Sequence, residues 1–255
     1  MTATFAVAAA ILAITACSAE PAPAPPPPAG PELPAPHPSA RFLTGTWQRF
    51  DAQGQLTDRW EFTPDGTFSI WTKVEGGGQF FCDFSDVSGT YTATDRMLHL
   101  EGTTREGWPF RYDTGYFADE HQFIRAPFVM TDISDRESTW SGSDYLICYP
   151  AGSAYPFDDR MEPTLTLHTA DPDAGKSELR WFDPIEGYLE DEAGRFKLVG
   201  DVLSLDTDGE ITTFDLVDPG TLAQRVDDPW MRGLSLIGFY HPLTMGLRYG
   251  RAVSE

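Results

Sequence analysis

From Arg41 onward the apolar and polar positions alternate with a period of two. Trp60 and Phe62 alternate with Arg59 and Glu61, Leu98 and Leu100 with His99 and Glu101, and Leu165 and Leu167 with Thr166 and His168. Phe196 and Leu198 alternate with Arg195 and Lys197, and Leu203 and Leu205 with Ser204 and Asp206. One apolar face against one polar face predicts antiparallel strands with a single buried side. Turn signals separate them: Pro64-Asp65-Gly66, Gly76-Gly77-Gly78, Asp183-Pro184 and Asp208-Gly209. No sustained stretch carries apolar residues at helical spacing, and the best helix candidate is the short segment 220–226. The expected fold class is therefore all-β, an antiparallel meander closed as a barrel or a barrel-like sandwich. Closure is favoured because it removes edges with unpaired backbone groups. Gly89-Thr90-Tyr91 precedes Leu98-His99-Leu100 much as Gly187-Tyr188 precedes Leu203-Ser204-Leu205. This echo leaves duplication of a β unit open, with a seam near residues 129–137.

The N-terminus follows another pattern. Residues 5–16 are an apolar run long enough for a signal-peptide core and too short to cross a bilayer. The run ends in Ile14-Thr15-Ala16-Cys17, which resembles the lipobox of bacterial lipoproteins. The resemblance implies that residues 1–17 form a lipoprotein signal peptide. It also implies that Cys17 becomes the first mature residue, bearing a diacylglycerol thioether and an N-acyl chain. Several acyl chains make a stable membrane anchor where one is marginal. Ser18 follows the Cys where the family uses Asp for retention at the inner membrane, so an outer-membrane destination is implied. Residues 18–40 hold ten of the 21 prolines, which rules out helix or sheet interior there. Polyproline II at about 3.1 Å per residue would make them a stalk of roughly 70 Å. A peptide-recognition ligand is the other reading of the same prolines.

The β domain is expected over residues 41–228. The less acidic, more apolar tail 229–255 is expected to pack on it as a completing strand or plug, with a docking segment as the alternative. Gly45-Thr46-Trp47 opens the domain, and Trp60-Glu61-Phe62-Thr63-Pro64-Asp65-Gly66-Thr67-Phe68 follows as a strand–turn–strand unit. A Gly-x-Trp on the first strand, then an Asp-Gly hairpin between aromatic strands, resembles the lipocalin-like domains of bacterial lipoproteins. The resemblance implies a lipocalin-like barrel in which Gly45 permits close approach of a neighbouring chain and Trp47 plugs one end. Of the family's later Thr-Asp-Tyr motif, Thr94-Asp95-Arg96 is a partial echo, and no position is assigned to its signature Arg. Aromatics crowd this half of the chain. They fill a core, or they line a cavity for a small hydrophobic molecule. In the second case Trp60, Phe68, Trp71 and Tyr91 are the candidate ligand-binding residues.

Composition narrows the function. Thirty-nine Asp and Glu against 18 Lys and Arg give a net charge of −21, which excludes nucleic-acid binding by general electrostatics. A single apolar run excludes a multi-pass membrane protein. The His residues outside the stalk show no metal-ligand spacing, so neither a metal nor a cofactor is expected. The run from Asp206 to Asp215 resembles a calcium loop only until Ser204 falls at the first-ligand position; a hairpin turn on Asp208-Gly209 explains it. Asp113-Thr114-Gly115 matches the aspartic-protease triplet, but no second copy exists. No nucleophile elbow, P-loop or dinucleotide-binding glycine motif is present, so no catalytic residue is nominated. The expected protein is a non-catalytic outer-membrane lipoprotein that binds a small hydrophobic ligand or an envelope component. The alternative is a structural or assembly lipoprotein whose filled β domain binds another protein, no partner being identified; an envelope hydrolase comes last.

Cys82 and Cys148 remain once Cys17 is assigned to lipid. In an oxidising compartment they are expected to pair, constraining the unfolded chain by about 4 kcal/mol; two separate buried thiols are the alternative. Alkylation of the denatured, non-reduced mature protein is expected to label no cysteine thiol, and two labelled thiols would overturn the disulfide.

Overall fold

The alternation read from the chain becomes a series of short antiparallel strands in the computed structural model. It describes residues 30–51, 53–73, 86–148, 157–168, 176–183, 188–207, 209–225 and 247–252. A single helical turn, α1 (Ala40–Leu43), precedes β1 (Gly45–Phe50), β2 (Leu56–Phe62), β3 (Thr67–Thr72), β4 (Val87–Ala93) and β5 (Met97–Thr103). Then come β6 (Pro109–Ala118), β7 (Gln122–Arg125), β8 (Phe128–Ile133), β9 (Glu137–Ser141), β10 (Asp144–Cys148) and β11 (Phe157–Met161). The remainder are β12 (Thr164–His168), β13 (Lys176–Asp183), β14 (Tyr188–Val199), β15 (Val202–Thr207), β16 (Glu210–Asp218), β17 (Thr221–Gln224) and β18 (Leu247–Arg251).

The strands make two rings, and the fold is all-β and lipocalin-like. In the first sheet the order is β11-β10-β6-β5-β4-β3-β2-β1-β18-β7, and β7 also pairs back onto β6, so the run from β6 round to β7 closes on itself. The second ring is a closed barrel, β12-β13-β14-β15-β16-β17-β8-β9. Each has its own apolar core. Trp47, Trp60, Phe62, Phe68, Leu98, Leu100, Tyr112, Phe123 and Tyr249 fill the first. Phe128, Trp140, Leu165, Leu167, Leu203, Leu205, Phe214 and Leu222 sit in the second. These are the inward positions of the period-two pattern, with two corrections. Leu198 lies near the tip of the β14–β15 hairpin and is 54% exposed. Residues 221–224 are strand β17 and not a helix. All four are buried because Leu222 faces the second core while Ala223 faces a cluster between the rings, so no polar face betrays the strand.

Close approach is needed most between β4 and β5. A Cβ on Gly89 would stand 2.0 Å from the Glu101 carbonyl oxygen, and its cross-strand partner is Gly102. No side chain fits there.

The chain passes between the two sheets four times, and one glycine holds the first two crossings. It leaves the first ring after Arg125 and enters the second at Phe128, ahead of the seam looked for at residues 129–137. It returns between Ser141 and Asp144. The Gly115 carbonyl accepts from the Ala126 amide at 2.8 Å, and its own amide donates to the Ser143 carbonyl at 2.8 Å. On the same edge of β6, Arg125 is registered with Tyr116 and Asp144 with Thr114. Thus β7 and β10 abut end to end across Gly115. The Asp113-Thr114-Gly115 triplet is this junction.

Further contacts join the rings. Phe117 and Ile124 of the first pack on Ala223 of the second. Arg248 of β18 reaches Asp215 of β16 at 2.6 Å, and Arg225 holds the other oxygen of that carboxylate at 2.6 Å. These two guanidiniums outweigh partial burial and lower the Asp215 pKa. The end of the proline-rich segment, from Pro34 to Ser39, lies between them, against Tyr116 and Phe117 on one side and Met130 and Gly220 on the other. His37 is 4.5 Å from Phe117, centroid to centroid, and the Ser39 hydroxyl accepts from the Ala118 amide. These last stalk residues therefore belong to the folded body. The tail contributes β18, which joins β1 to β7.

Two charges lie inside the first ring. Arg125 is 2% exposed and Asp144 fully buried. The Arg125 guanidinium lies 5.7 Å from the Trp60 ring and 5.9 Å from that of Tyr112. Burial opposes its charge, but the electrostatics of Tyr112, Tyr249, Asp144 and Asp58 outweigh that and raise its pKa. Burial lifts the Asp144 carboxyl to about 6, against the pull of Arg125 and of the neighbouring Tyr112 and Thr114 hydroxyls. The unfolded value is about 4. Between these values the native protein holds a proton that the unfolded chain has released. Stability from protonated Asp144 is thus complete below about pH 4 and is lost as pH rises through about 6. Relative to Asp144→Asn, the native protein is expected to lose on the order of 2–3 kcal/mol of unfolding free energy between pH 4 and 7. Urea titrations of both proteins across that range check this; parallel curves would refute it.

Candidate functional site

Among the described residues, the four aromatics proposed from sequence do not come together in one lining. Trp60 is fully buried and Phe68 is 3% exposed, both within the core. Trp60 packs against Phe62, Phe123, Tyr112 and Tyr249 with centroids 5.6–6.3 Å apart. Tyr91 is half-buried; its ring meets Phe62 edge-on at 5.1 Å and its hydroxyl donates to the Thr63 carbonyl. Trp71 is half-buried and pairs across the sheet with exposed Arg59, on the opposite face from Phe68 and Ile70.

Trp47 on β1 is fully buried in the first core. Its indole N–H donates to the Leu43 carbonyl at 2.7 Å, tying β1 to α1. Arg251 of β18 lies across the indole, 4.6 Å from the ring centroid. Its guanidinium donates to the carbonyls of Phe42 and Thr44 at 2.7 and 3.2 Å. A Cβ on Gly45, whose φ is +135°, would face that same guanidinium at 3.7 Å. This is the partner for the Gly-x-Trp that sequence reasoning missed. Two hundred residues of intervening chain separate it from Trp47, and only the Leu247–Tyr249 alternation pointed to a strand.

A polar concavity lies on the outside, across β4, β5 and β6. It has a volume of about 290 Å³ and is lined by Thr90, Tyr91, Thr92, His99, Glu101, Arg111 and Asp113. Strand register builds it: Thr92, His99 and Asp113 stand in one cross-strand row, and Thr90, Glu101 and Arg111 in the next. These residues alternate with Leu98, Leu100, Phe110 and Tyr112, which point inward. Asp113 organises the face. One oxygen meets His99 Nδ1 at 2.8 Å, and the other accepts from Arg111 Nη2 at 2.8 Å and Nε at 3.1 Å. The Asp113 side chain is 14% exposed, His99 44% and Arg111 51%. Bonds to Asp113 raise the Arg111 pKa. With its proton on Nδ1 toward the carboxylate, a neutral His99 ring presents Nε2 outward as an acceptor.

Among the described residues no group of three or more His, Cys, Asp or Glu side chains could hold a metal. β15 and β16 form a hairpin in which the Gly209 amide donates to Asp206 at 2.9 Å and Gly209 has φ +91°. Cys17 and Cys82 lie outside the described residues, as does the side chain of Cys148, so the lipid attachment and the disulfide fall there too. No protein-family profile, no curated protein and no solved structure matches this chain.

Removing the Arg251 guanidinium uncovers Trp47 and leaves two carbonyls without their donor. Arg251→Ala is expected to cost about 1–2 kcal/mol in chemical denaturation, with reduced quenching or a red shift of native tryptophan fluorescence. Arg251→Lys recovers only part of this, because an ammonium has no flat face to lay on the Trp47 indole.

Proposed function

We propose that this protein is a non-catalytic, lipid-anchored protein of the bacterial outer membrane that acts through the outside of a filled β scaffold, by binding another envelope component. The observation that carries the reading is the packed interior of the first ring. Trp47, Trp60, Phe62, Tyr112, Phe123 and Tyr249 are all buried there, with Arg125 and Asp144 set among them. A carrier of hydrophobic molecules needs enclosed apolar space. Among the described residues, large side chains of the chain itself pack in that interior, which supports a scaffold over a carrier. The lipobox resemblance at Cys17 supports the anchor, and the proline-rich segment supports a spacer between lipid and folded body. The acidic exterior supports solubility and repulsion from anionic lipid surfaces, so the outward faces stay available to a partner.

The test uses full-length protein purified from its own host. Native mass spectrometry is expected to show the mass of the lipidated chain with no co-purified apolar molecule. Cys17→Ser is expected to move the protein from the membrane fraction to the aqueous one. A stoichiometric bound lipid would overturn the filled-scaffold reading in favour of ligand carriage, and a Cys17→Ser protein that stays with the membrane would overturn the anchor.

A further inference from the structure

We propose that the concavity across β4, β5 and β6 binds an uncharged polyhydroxylated ligand, a saccharide unit of an envelope glycan. This rests on the reading above that the protein works through its outer surface, and it names the chemistry that surface recognises.

The face is preorganised. Asp113 spends both oxygens on its neighbours, fixing the His99 ring and the Arg111 guanidinium relative to each other. Groups locked by such bonds lose little further freedom on binding. What remains unspent is a mixed array. Arg111 keeps Nη1 as a donor, His99 presents Nε2 as an acceptor, and Glu101 accepts. The hydroxyls of Thr90 and Thr92 can do either.

Charge and chemistry eliminate the other ligand classes. Arg111 is already paired with Asp113, and Glu101 stands beside it in register, so the groove has no surplus positive charge for a phosphate or carboxylate. Asp113 has no free oxygen for a cation, and no metal-holding cluster exists among the described residues. Tyr91 is the only aromatic in a lining that is otherwise polar, which does not suit an apolar molecule. A ligand made of hydroxyls fits, because each hydroxyl both donates and accepts and so matches an array holding both kinds of partner. The volume of about 290 Å³ stands at the lower end of the roughly 300–1,000 Å³ typical of small-molecule sites, the size of a short sugar segment. The face also continues beyond the concavity in hydroxyls. Thr67 is the cross-strand neighbour of Thr90, and Ser88 pairs with Thr103, all exposed. A glycan longer than one unit would find the same chemistry on either side.

In these roles His99 and Arg111 bind the ligand and Asp113 positions them. The test is saturation-transfer difference NMR and calorimetric titration of the full chain with two neutral trisaccharides, chitotriose and maltotriose. Trialanine and inorganic phosphate are the comparison probes. One trisaccharide or both are expected to show transfer to ring protons. Arg111→Ala and His99→Ala are each expected to weaken that binding at least tenfold without changing Tm by more than a few degrees. Glu120→Gln, on an exposed turn outside the groove, should bind as the native protein does. Thr92→Ala serves as a second groove variant that leaves the Asp113 network intact, with a severalfold loss expected. Absence of transfer to either sugar overturns the proposal. So does binding that survives both His99→Ala and Arg111→Ala, or binding of trialanine or phosphate in place of sugar. If the sugars fail while native mass spectrometry still finds no bound lipid, the outer-surface reading survives with a different ligand. If lipid co-purifies while the sugars bind and respond to the variants, that reading fails and the glycan site stands.

Discussion

Everything in the described body depends on the junction at Gly115, where two strands end against one another on a single edge of β6. Two chain crossings meet there, and both hang on that residue's backbone groups. The side chains flanking it are Arg125 and Asp144, opposite charges taken out of water into an aromatic core. Such a pair contributes little net stability, because desolvation offsets attraction, yet removing one partner is costly. Its use is specification. A buried guanidinium needs nearby compensating groups, and Tyr112, Tyr249, Asp144 and Asp58 surround Arg125, so these two residues favour a register that brings the end of β7 and the start of β10 together. The contacts between the rings, namely Phe117 and Ile124 against Ala223 and Arg248 against Asp215, depend on that register being kept.

The same junction places two buried ionisable groups in the interior of the first ring. A barrel with an empty centre has walls for a ligand, whereas the described aromatics of the first ring pack on one another around the buried Arg125 and Asp144. Trp60 illustrates the difference. As an aromatic in a lipocalin-like sequence it suits a ligand wall, but in the fold it packs between other rings of the core and beneath Arg125. On the outside, strand register rather than enclosure gathers side chains. Thr92, His99 and Asp113 come from three strands, and each is ordinary alone. In one cross-strand row they become a fixed arrangement of donors and acceptors.

Much of the architecture was legible because a strand with one wet face writes its period directly into the chain. The pairs at Trp60, Leu98, Leu165 and Leu203 mark strands for that reason, and Asp65-Gly66 and Asp208-Gly209 mark turns because glycine takes the positive φ those turns require. Legibility failed where both faces are covered, as at Leu222 and Ala223. It also failed at Leu198, where a hairpin tip frees an inward position from the core. The candidate groove was invisible for a different reason. His99, Arg111 and Asp113 lie at polar positions that any outer strand face carries, and nothing in their spacing states which strands are neighbours.

The sequence alone determined the class of the protein: all-β, antiparallel, acidic, with a lipobox-like N-terminus and a proline-rich lead. These follow from local properties such as side-chain alternation, proline's fixed backbone and net charge. Tertiary structure alone decided that the strands form two rings, that Arg251 lies over Trp47 from across the chain, and that Trp60 packs among the core aromatics of the first ring. It also made Asp113-Thr114-Gly115 a crossing point, with Asp113 outward to the groove and Thr114 inward to Asp144. These are decided by pairings between residues far apart in the chain, and a period of two fixes which face a residue takes without saying which strand lies beside it.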